Sequence, residues 1–439
     1  MGQHIYILGA GMTGLAAGVA SGLPIFEAGE VPGGICASYY MRPGSNERLR
    51  NAPKDGEAYR FEIGGGHWIF GGDPLVLRFI RSLTTVKSYV RKSAVYIPDQ
   101  DLLVPYPIQN NLRYLGQEIA SRALSEMVEA AQSNYPVRTM ADWLRAYFGP
   151  TLCKLFFEPF HELYTAGLYK RIAPQDVYKS PVNLSLAIQG AFADVPPMGY
   201  NVTFVYPEEG LNMLAQRMAA QCNIHYSKRV VHIDVKDKII YFEDESTAGY
   251  KALLSTLPLN KMIEMTGLVV DEEPDPATSV LIINIGAIKE KRCPNEHWVY
   301  IPKSRSGFHR AGFYSNVDAS FLPASSRKDQ NRVSIYVEKA YQEGERPTED
   351  KVKDLCHAVT NELQEWGWIK EVEVVDPTWI EVAYTWSWPG SQWVKKALRL
   401  LEDHSIYQVG RFARWSFQGI ADSIRDGLMA GASFRDFKN

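Results

Sequence analysis

Short apolar runs and longer helical periodicities divide this chain into regions. Residues 4–9, HIYILG, form an apolar run that predicts a buried strand, and 15–20 is small and helix-compatible. Residues 23–27, LPIFE, predict a second strand closing on a carboxylate. Apolar residues at helical spacing predict a helix over Gln117–Gln132. Thr139-Met140-Ala141-Asp142 opens another, which runs to Phe148 with Gly149-Pro150 as its stop, and 152–163 predicts a third. Further on, 238–242, 279–288 and 332–338 read as strands and Glu349–Glu365 as a helix. One stretch fits neither pattern. In 104–115, VPYPIQNNLRYL, two prolines remove donors and stiffen the chain around Tyr106, and the amides of Gln109, Asn110 and Asn111 follow.

A chain of 439 residues exceeds one hydrophobic core, so two or three domains are expected. Its 47 basic and 50 acidic residues leave no positive field for nucleic acid. No apolar run has the length of a membrane span, and the N-terminus, MGQHIYILGAG, lacks the pattern of a secretory signal. Tyr6 stands where a myristoylation signal requires Ser or Thr. Cys36, Cys153, Cys222, Cys293 and Cys356 are scattered and form no CxxC pair, which argues against a metal site or a disulfide framework. Reduced thiols and a cytoplasmic location are the expectation. The cluster Tyr384-Thr385-Trp386-Ser387-Trp388 fits the wall of a pocket for a flat or sugar-like ligand.

The strongest chemical signal is Gly9-Ala10-Gly11-Met12-Thr13-Gly14, set between a predicted strand and a helix. Gly9 permits the tight turn, Gly11 lets backbone approach a pyrophosphate, and Gly14 lets helix and strand pack closely. The helix N-terminus, through Thr13, offers free N–H groups to phosphate. Glu27, 18 residues beyond Gly9, is placed to accept from ribose hydroxyls. The interval from Gly14 to Glu27 is short, so a stubby crossover helix is expected.

A second glycine pair, Gly33-Gly34, follows the acid. This arrangement resembles flavoproteins of the amine oxidase, protoporphyrinogen oxidase-like and glutathione reductase-like superfamily. Two later pieces carry the same resemblance. Lys228-Arg229-Val230-Val231-His232-Ile233 looks like the segment whose valine backbone meets adenine. Tyr407-Gln408-Val409-Gly410-Arg411-Phe412, with Asp422-Ser423 behind it, looks like the segment that closes over the flavin. The resemblance implies FAD and an α/β fold. A Rossmann-like FAD-binding domain would be assembled from 1–80, 198–265 and 400–439. A mainly helical substrate-binding subdomain over 81–197 and an antiparallel β-sheet substrate domain over 266–399 would complete it.

The proline loop narrows the family. Val104-Pro105-Tyr106-Pro107-Ile108-Gln109-Asn110-Asn111 closely resembles the stretch with which UDP-galactopyranose mutases hold the nucleotide base. Residues 62–70, EIGGGHWIF, look like their glycine–histidine loop beside the flavin, and 156–161, FFEPFH, like their proline-bearing helix. Trp298-Val299-Tyr300-Ile301-Pro302 followed by Phe308-His309-Arg310 and Ser315-Asn316 is similar to their Trp-x-Tyr-x-Pro…Arg…Ser-Asn run.

What the resemblance implies is an isomerase, an intramolecular transferase that contracts a nucleotide-bound pyranose to a furanose such as galactofuranose. In that family N5 of the reduced flavin attacks the anomeric carbon through a flavin–sugar adduct, with no net redox change. Reduced FAD, a nucleotide-sugar substrate and an external reductant such as NAD(P)H are therefore implied, and an oligomer is compatible. The catalytic set would be Arg310 on the diphosphate, Tyr300 donating to the same phosphates, and His67 against the flavin. Arg411 would bind the FAD pyrophosphate. Tyr106 would stack on the base and Gln109 would bond its edge. Ile108, Asn110, His161, Asn316 and Tyr384 complete the implied substrate set.

Several positions depart from the family. Val317 and Phe417 stand where tyrosines are expected, and His161 replaces an asparagine. No second phosphate-binding arginine aligns, with Lys170, Arg171 and Lys179 as stand-ins. These departures imply either another nucleotide sugar, with a base other than uracil such as guanine in a GDP-hexose, or a different grip on the same diphosphate. Two other readings stay open: an FAD-dependent oxidoreductase of the amine oxidase or desaturase type, and a flavin-independent mutase on the same fold.

Overall fold

A strand covered on both faces loses the alternation that marks a half-exposed one. Ala277–Lys289 is such a strand: positions 277–287 are all buried. The computed structural model, which describes residues 4–133, 135–175, 182–198 and 202–435, pairs it antiparallel with Arg332–Gln342 on one side and Ile369–Thr385 on the other. The sheet continues through Arg310–Phe313, Trp298–Tyr300, Ser93–Ile97 and Leu102–Pro105. The last two strands lie within the span expected to be mainly helical, and Ser93–Ile97 joins Trp298–Tyr300 in parallel. Ile369–Thr385 was not expected as a strand, because Pro377 and repeated acidic residues interrupt its apolar pattern. It occupies the edge of the sheet, where a missing N–H is tolerated.

The second sheet is a parallel one. His4–Leu8 lies between Ile25–Phe26 and Thr247–Ser255, with Ile224–His225 and Ile406–Gln408 outside them. The first half of Thr247–Ser255 instead pairs antiparallel with Ile239–Phe242, which leads back to Val230–Asp234. One sheet thus draws on three separated stretches of chain, and the expected α/β class, with a discontinuous Rossmann-like sheet beside an antiparallel one, is the observed fold.

The crossover helix is not stubby. It runs Met12–Ser21, beginning inside the glycine motif at Gly11 and ending at Gly22 in the left-handed region. The short interval removes loop, not helix. The helix Ile420–Ser433 packs along it, with Gly427 against Thr13 O and Gly431 against Ala17 O. Because both contacts advance together, the two helices run in the same direction and present their N-termini at the same end.

The helical region holds Gln117–Gln132, Met140–Leu152, Glu158–Tyr164 and Leu184–Phe192 around Leu144, Phe148, Leu152 and Phe157. Thr139 and Asp142 cap the second of these reciprocally, with Asp142 N donating to Thr139 Oγ1 (3.2 Å) and Thr139 N to Asp142 Oδ2 (2.9 Å). Gly149 leaves the helical region there (φ 72°), at the predicted stop, although a further turn follows. Among the described residues no helix is long and apolar enough to cross a membrane.

A methyl group on Gly427 would overlap Thr13 O. Gly427→Ala is expected to destabilise the protein by about 1–3 kcal/mol through overpacking. A fall in thermal midpoint by scanning calorimetry checks this; an unchanged midpoint means that the helices separate freely.

Candidate functional site

A cavity of about 800 Å³ lies where the parallel sheet, the antiparallel sheet and the helical region meet. One end is glycine-rich. Gly9, Gly11, Thr13, Gly33 and Gly34 line it from the N-terminal segment, and Gly410, Arg411, Asp422 and Ser423 from the C-terminal one. A Cβ on Gly11 would meet nothing within 4 Å, so backbone faces open space there. Gly33 N donates to Ala10 O (2.8 Å), which folds the second glycine pair back onto the first. The helices starting at Met12 and Ile420 both bring their N-terminal N–H groups to this end, an arrangement that favours phosphate.

Glu27 is on the wall as well. Its Oε2 accepts from Ala10 N (2.6 Å) and its Oε1 from Gly29 N (2.7 Å), which fixes the carboxylate and leaves lone pairs over. Gly14 lies off the wall and packs against Gly9 O. Val230 is also off the wall, two residues beyond Lys228, whose N donates to Glu27 O (2.8 Å). Arg411 donates from Nη1 to Gln418 O (3.2 Å) and lies 4.7 Å from the Phe417 ring centroid. Gln418 Oε1 and the indole nitrogens of Trp68 and Trp298 are buried with no hydrogen-bond partner among the described residues, and all three residues line the cavity. Open glycine backbone, two helix ends and unpaired polar atoms on the wall fit a flavin dinucleotide.

The middle of the cavity is built around His67. Its N donates to Glu62 Oε2 (3.0 Å), and its Nδ1–H donates to Gly65 O (3.0 Å), leaving the lone pair on Nε2. Burial lowers the His67 pKa to about 4, against the pull of the Gly65 bond, so the ring is neutral at pH 7. Burial likewise pushes Glu62 up to about 8, although Tyr206 and His67 N both donate to it.

The far end is set by strand register. Tyr300 stands opposite Arg310, and Arg310 opposite Glu338. Arg310 Nη2 pairs with Glu338 Oε1, His309 Nε2 lies 3.4 Å from Glu338 Oε2, and Tyr384 donates to that oxygen (3.3 Å). Burial alone raises the pKa of the Glu338 carboxyl, but Arg310, with His309 second, outweighs it and holds the group at about 2. Burial lowers the His309 pKa in spite of Glu338. The Tyr106 ring is 4.7 Å from that of Tyr300, which is 5.4 Å from Phe160. Tyr106, His161, Tyr300, Arg310 and Tyr384 therefore share one wall. His161 donates from Nδ1 to Phe157 O (2.7 Å).

The structure does not bring Ile108, Gln109 and Asn110 to this wall. They form a buried turn, and Asn110 O meets Gly190 of Leu184–Phe192 in close contact. The Tyr106 ring faces the cavity, while Ile108, Gln109 and Asn110 are buried on the side of the helical region. Asn316 is also elsewhere: its Nδ2 donates to Pro294 O (2.8 Å) and Glu296 O (2.7 Å). Of the stand-in cations, Lys170 pairs with Glu162 (2.8 Å) and Arg171 lies 4.7 Å from the Trp388 centroid. Lys179 lies outside the described residues. Sequence reasoning missed Glu338, His309 and Glu62. Their signal was a charged or polar residue inside an apolar strand or turn, as in YVEK and RFEI.

Removing one partner of a buried ion pair strands the other charge. Glu338→Gln is expected to destabilise the protein by about 3–5 kcal/mol. The carboxyl has a folded pKa of about 2 against an ordinary value of 4.5. Its stabilisation is thus full above pH 4.5 and lost as pH falls toward 2. Thermal midpoints of the two proteins should converge across that window; parallel profiles would mean that Glu338 is not ionised in the folded protein.

The comparisons with known proteins agree with this architecture. The family model described as "Flavin containing amine oxidoreductase" matches residues 22–281, more than half of the chain. A reduced UDP-galactopyranose mutase is similar in fold at TM-score 0.84 and 21% identity, over 100% of this chain and 94% of that one. A protein from an Exiguobacterium species described as a protoporphyrinogen oxidase gives TM-score 0.71 at 13% identity, with 100% of each chain covered. Putrescine oxidase bound to putrescine gives 0.59 at 14%, with 98% of each covered. With the glycine-lined end, the two helix termini and the family match in agreement, the chain belongs to the flavin containing amine oxidoreductase family.

Proposed function

We propose that this flavin enzyme is a nucleotide-sugar mutase that interconverts pyranose and furanose rings on a UDP- or GDP-hexose. The observation that carries the reading is the row Tyr106, Tyr300, Arg310 and Tyr384 on one cavity wall, with the dinucleotide-binding glycines at the other end. Reduced FAD, held by Gly9–Gly14, Glu27, Gly33, Gly34, Gly410 and Arg411, would supply the nucleophile for the anomeric carbon.

The chain's own residues then have defined tasks. Tyr106 stacks on the base, and His161 stands beside Phe160 at the same end. Arg310 donates to the diphosphate and stabilises the charge that grows as the glycosidic bond breaks. Tyr300 and Tyr384 add hydroxyl donors. His67, neutral, holds a lone pair at Nε2 for a proton exchanged near the ring. Aromatic side chains such as Phe160, Tyr164 and Trp386 exclude water from the sugar.

A second reading is favoured by one observation: Arg310 already carries a counter-charge in Glu338. A nearly neutral, aromatic cavity also suits an apolar or amine substrate, as an FAD-dependent oxidoreductase would take.

The test is incubation of the purified protein with UDP-galactose, GDP-hexoses and simple amines, before and after dithionite. A yellow protein that forms a new nucleotide-sugar isomer only when reduced is the expected result, with NAD(P)H replacing dithionite more slowly. Arg310→Met should lower turnover by about 10²- to 10³-fold. Oxygen consumption on an amine with no isomer identifies the oxidoreductase, and a colourless active protein the flavin-independent mutase.

A further inference from the structure

Among the described residues three histidines line the cavity, and their ring nitrogens are not held alike. His67 and His161 each donate from Nδ1 to a backbone carbonyl, those of Gly65 and Phe157. His309 makes no such bond. It is 1% exposed, and neither Nδ1 nor Nε2 has a hydrogen-bond partner among the described residues. Glu338 Oε2 lies 3.4 Å from Nε2, close enough to attract its proton but without the geometry of a hydrogen bond.

Local structure holds the ring in this place. His309 N donates to Glu338 O (3.0 Å) and Ile301 N donates to His309 O (2.9 Å), which fixes the backbone just before the strand Arg310–Phe313. The imidazole lies 5.2 Å from the Tyr164 ring and 6.1 Å from that of Phe160, which also borders Tyr300. His309 therefore sits at the tyrosine-rich end, one residue from the arginine proposed for the diphosphate.

A neutral imidazole carries one donor and one acceptor, and burial makes an unmet one unfavourable. Packing alone gives no reason for a histidine here, since a phenylalanine fills similar space without buried polar atoms. The Glu338 carboxylate favours the tautomer with its proton on Nε2, which leaves the lone pair on Nδ1. That atom calls for a donor. An ionised phosphate offers acceptors only, whereas a hydroxyl can donate. We propose that His309 Nδ1 accepts a hydrogen bond from a sugar hydroxyl of the substrate, on its ribose or on its hexose, and so selects among sugars. This inference rests on the nucleotide-sugar reading above and deepens it: Arg310 takes the diphosphate, and His309 beside it takes a hydroxyl.

The test is calorimetric titration of the full-length holoprotein, comparing wild type with His309→Phe and His309→Asn. The ligands are UDP or GDP, whichever binds more tightly, its 2′-deoxy and 3′-deoxy forms, and the corresponding nucleotide hexose. For a ribose hydroxyl, His309→Phe should weaken the nucleoside diphosphate by about 3- to 10-fold, the scale of one hydrogen bond, and leave one deoxy form unaffected. For a hexose hydroxyl, the same loss should appear with the nucleotide hexose and not with the nucleoside diphosphate. In both cases His309→Asn, whose amide oxygen can stand near the place of Nδ1, should recover part of the affinity. The thermal midpoint of His309→Phe should equal or exceed that of wild type, as loss of unmet buried polar atoms allows. A uniform loss across all four ligands makes His309 a general support of the cavity wall and overturns the proposal. Unchanged affinities in His309→Phe overturn it alone and leave the mutase reading standing. A wild type that binds neither nucleoside diphosphates nor nucleotide hexoses overturns both.

Discussion

A single buried carboxylate organises the chemically active half of this molecule. Glu338 sits in the middle of an apolar strand at 2% exposure, where an isolated charge would be driven to its neutral form. Arg310, opposite it in register, keeps it ionised, and in return the carboxylate lets a guanidinium exist inside the protein. Its Oε1 pairs with Arg310 while its Oε2 receives Tyr384 and faces His309, so one group orients three side chains from different strands and turns. A cation prepared in this way needs no rearrangement to meet charge that develops on a leaving group. The pair also sets a limit. Arg310 is balanced before any ligand arrives, and an anionic substrate needs positive charge from elsewhere.

The opposite half depends on close packing. Glycines at 427 and 431 let one helix lie against another, and the consequence is two helix N-termini at one end of the cavity. His67 lies between the two halves, on a turn held by the backbone bond to Glu62. Neutral imidazole and a carboxyl of raised pKa keep this middle region nearly free of charge at neutral pH. The cavity therefore runs from a glycine-rich end under two helix N-termini, through an uncharged centre, to a tyrosine-rich end with a paired arginine.

Local features were legible in the sequence and non-local ones were not. Gln117–Gln132 and Glu349–Glu365 have the bounds their apolar spacing and polar flanks predict, because helices are specified by neighbours in the chain. The glycine motif was readable for the same reason, though its helix starts at Met12, inside the motif. Ile369–Thr385 escaped notice because its strand character comes from pairing along Ala277–Lys289, not from its own pattern. At the site, Tyr106, Tyr300 and Arg310 were picked out by the resemblance of their motifs to those of UDP-galactopyranose mutases, but their contact is made by three separate strands or loops. Gln109 and Asn110 looked like a base clamp, since amides are versatile partners. Their inward orientation is decided by the helix Leu184–Phe192, which no short-range pattern connects to them. Glu338 carried the faintest signal, a lone acid in an apolar run, and it turned out to hold the site together.

The most direct measurement is a crystal structure of the dithionite-reduced protein with UDP-galactose or a GDP-hexose bound. Phosphoryl oxygens within hydrogen-bonding distance of Arg310 and a base stacked on Tyr106, with the sugar between them and the glycine-rich end, are the expected result. A nucleotide bound away from both residues, or a cavity that admits only flavin and a small amine, would contradict it.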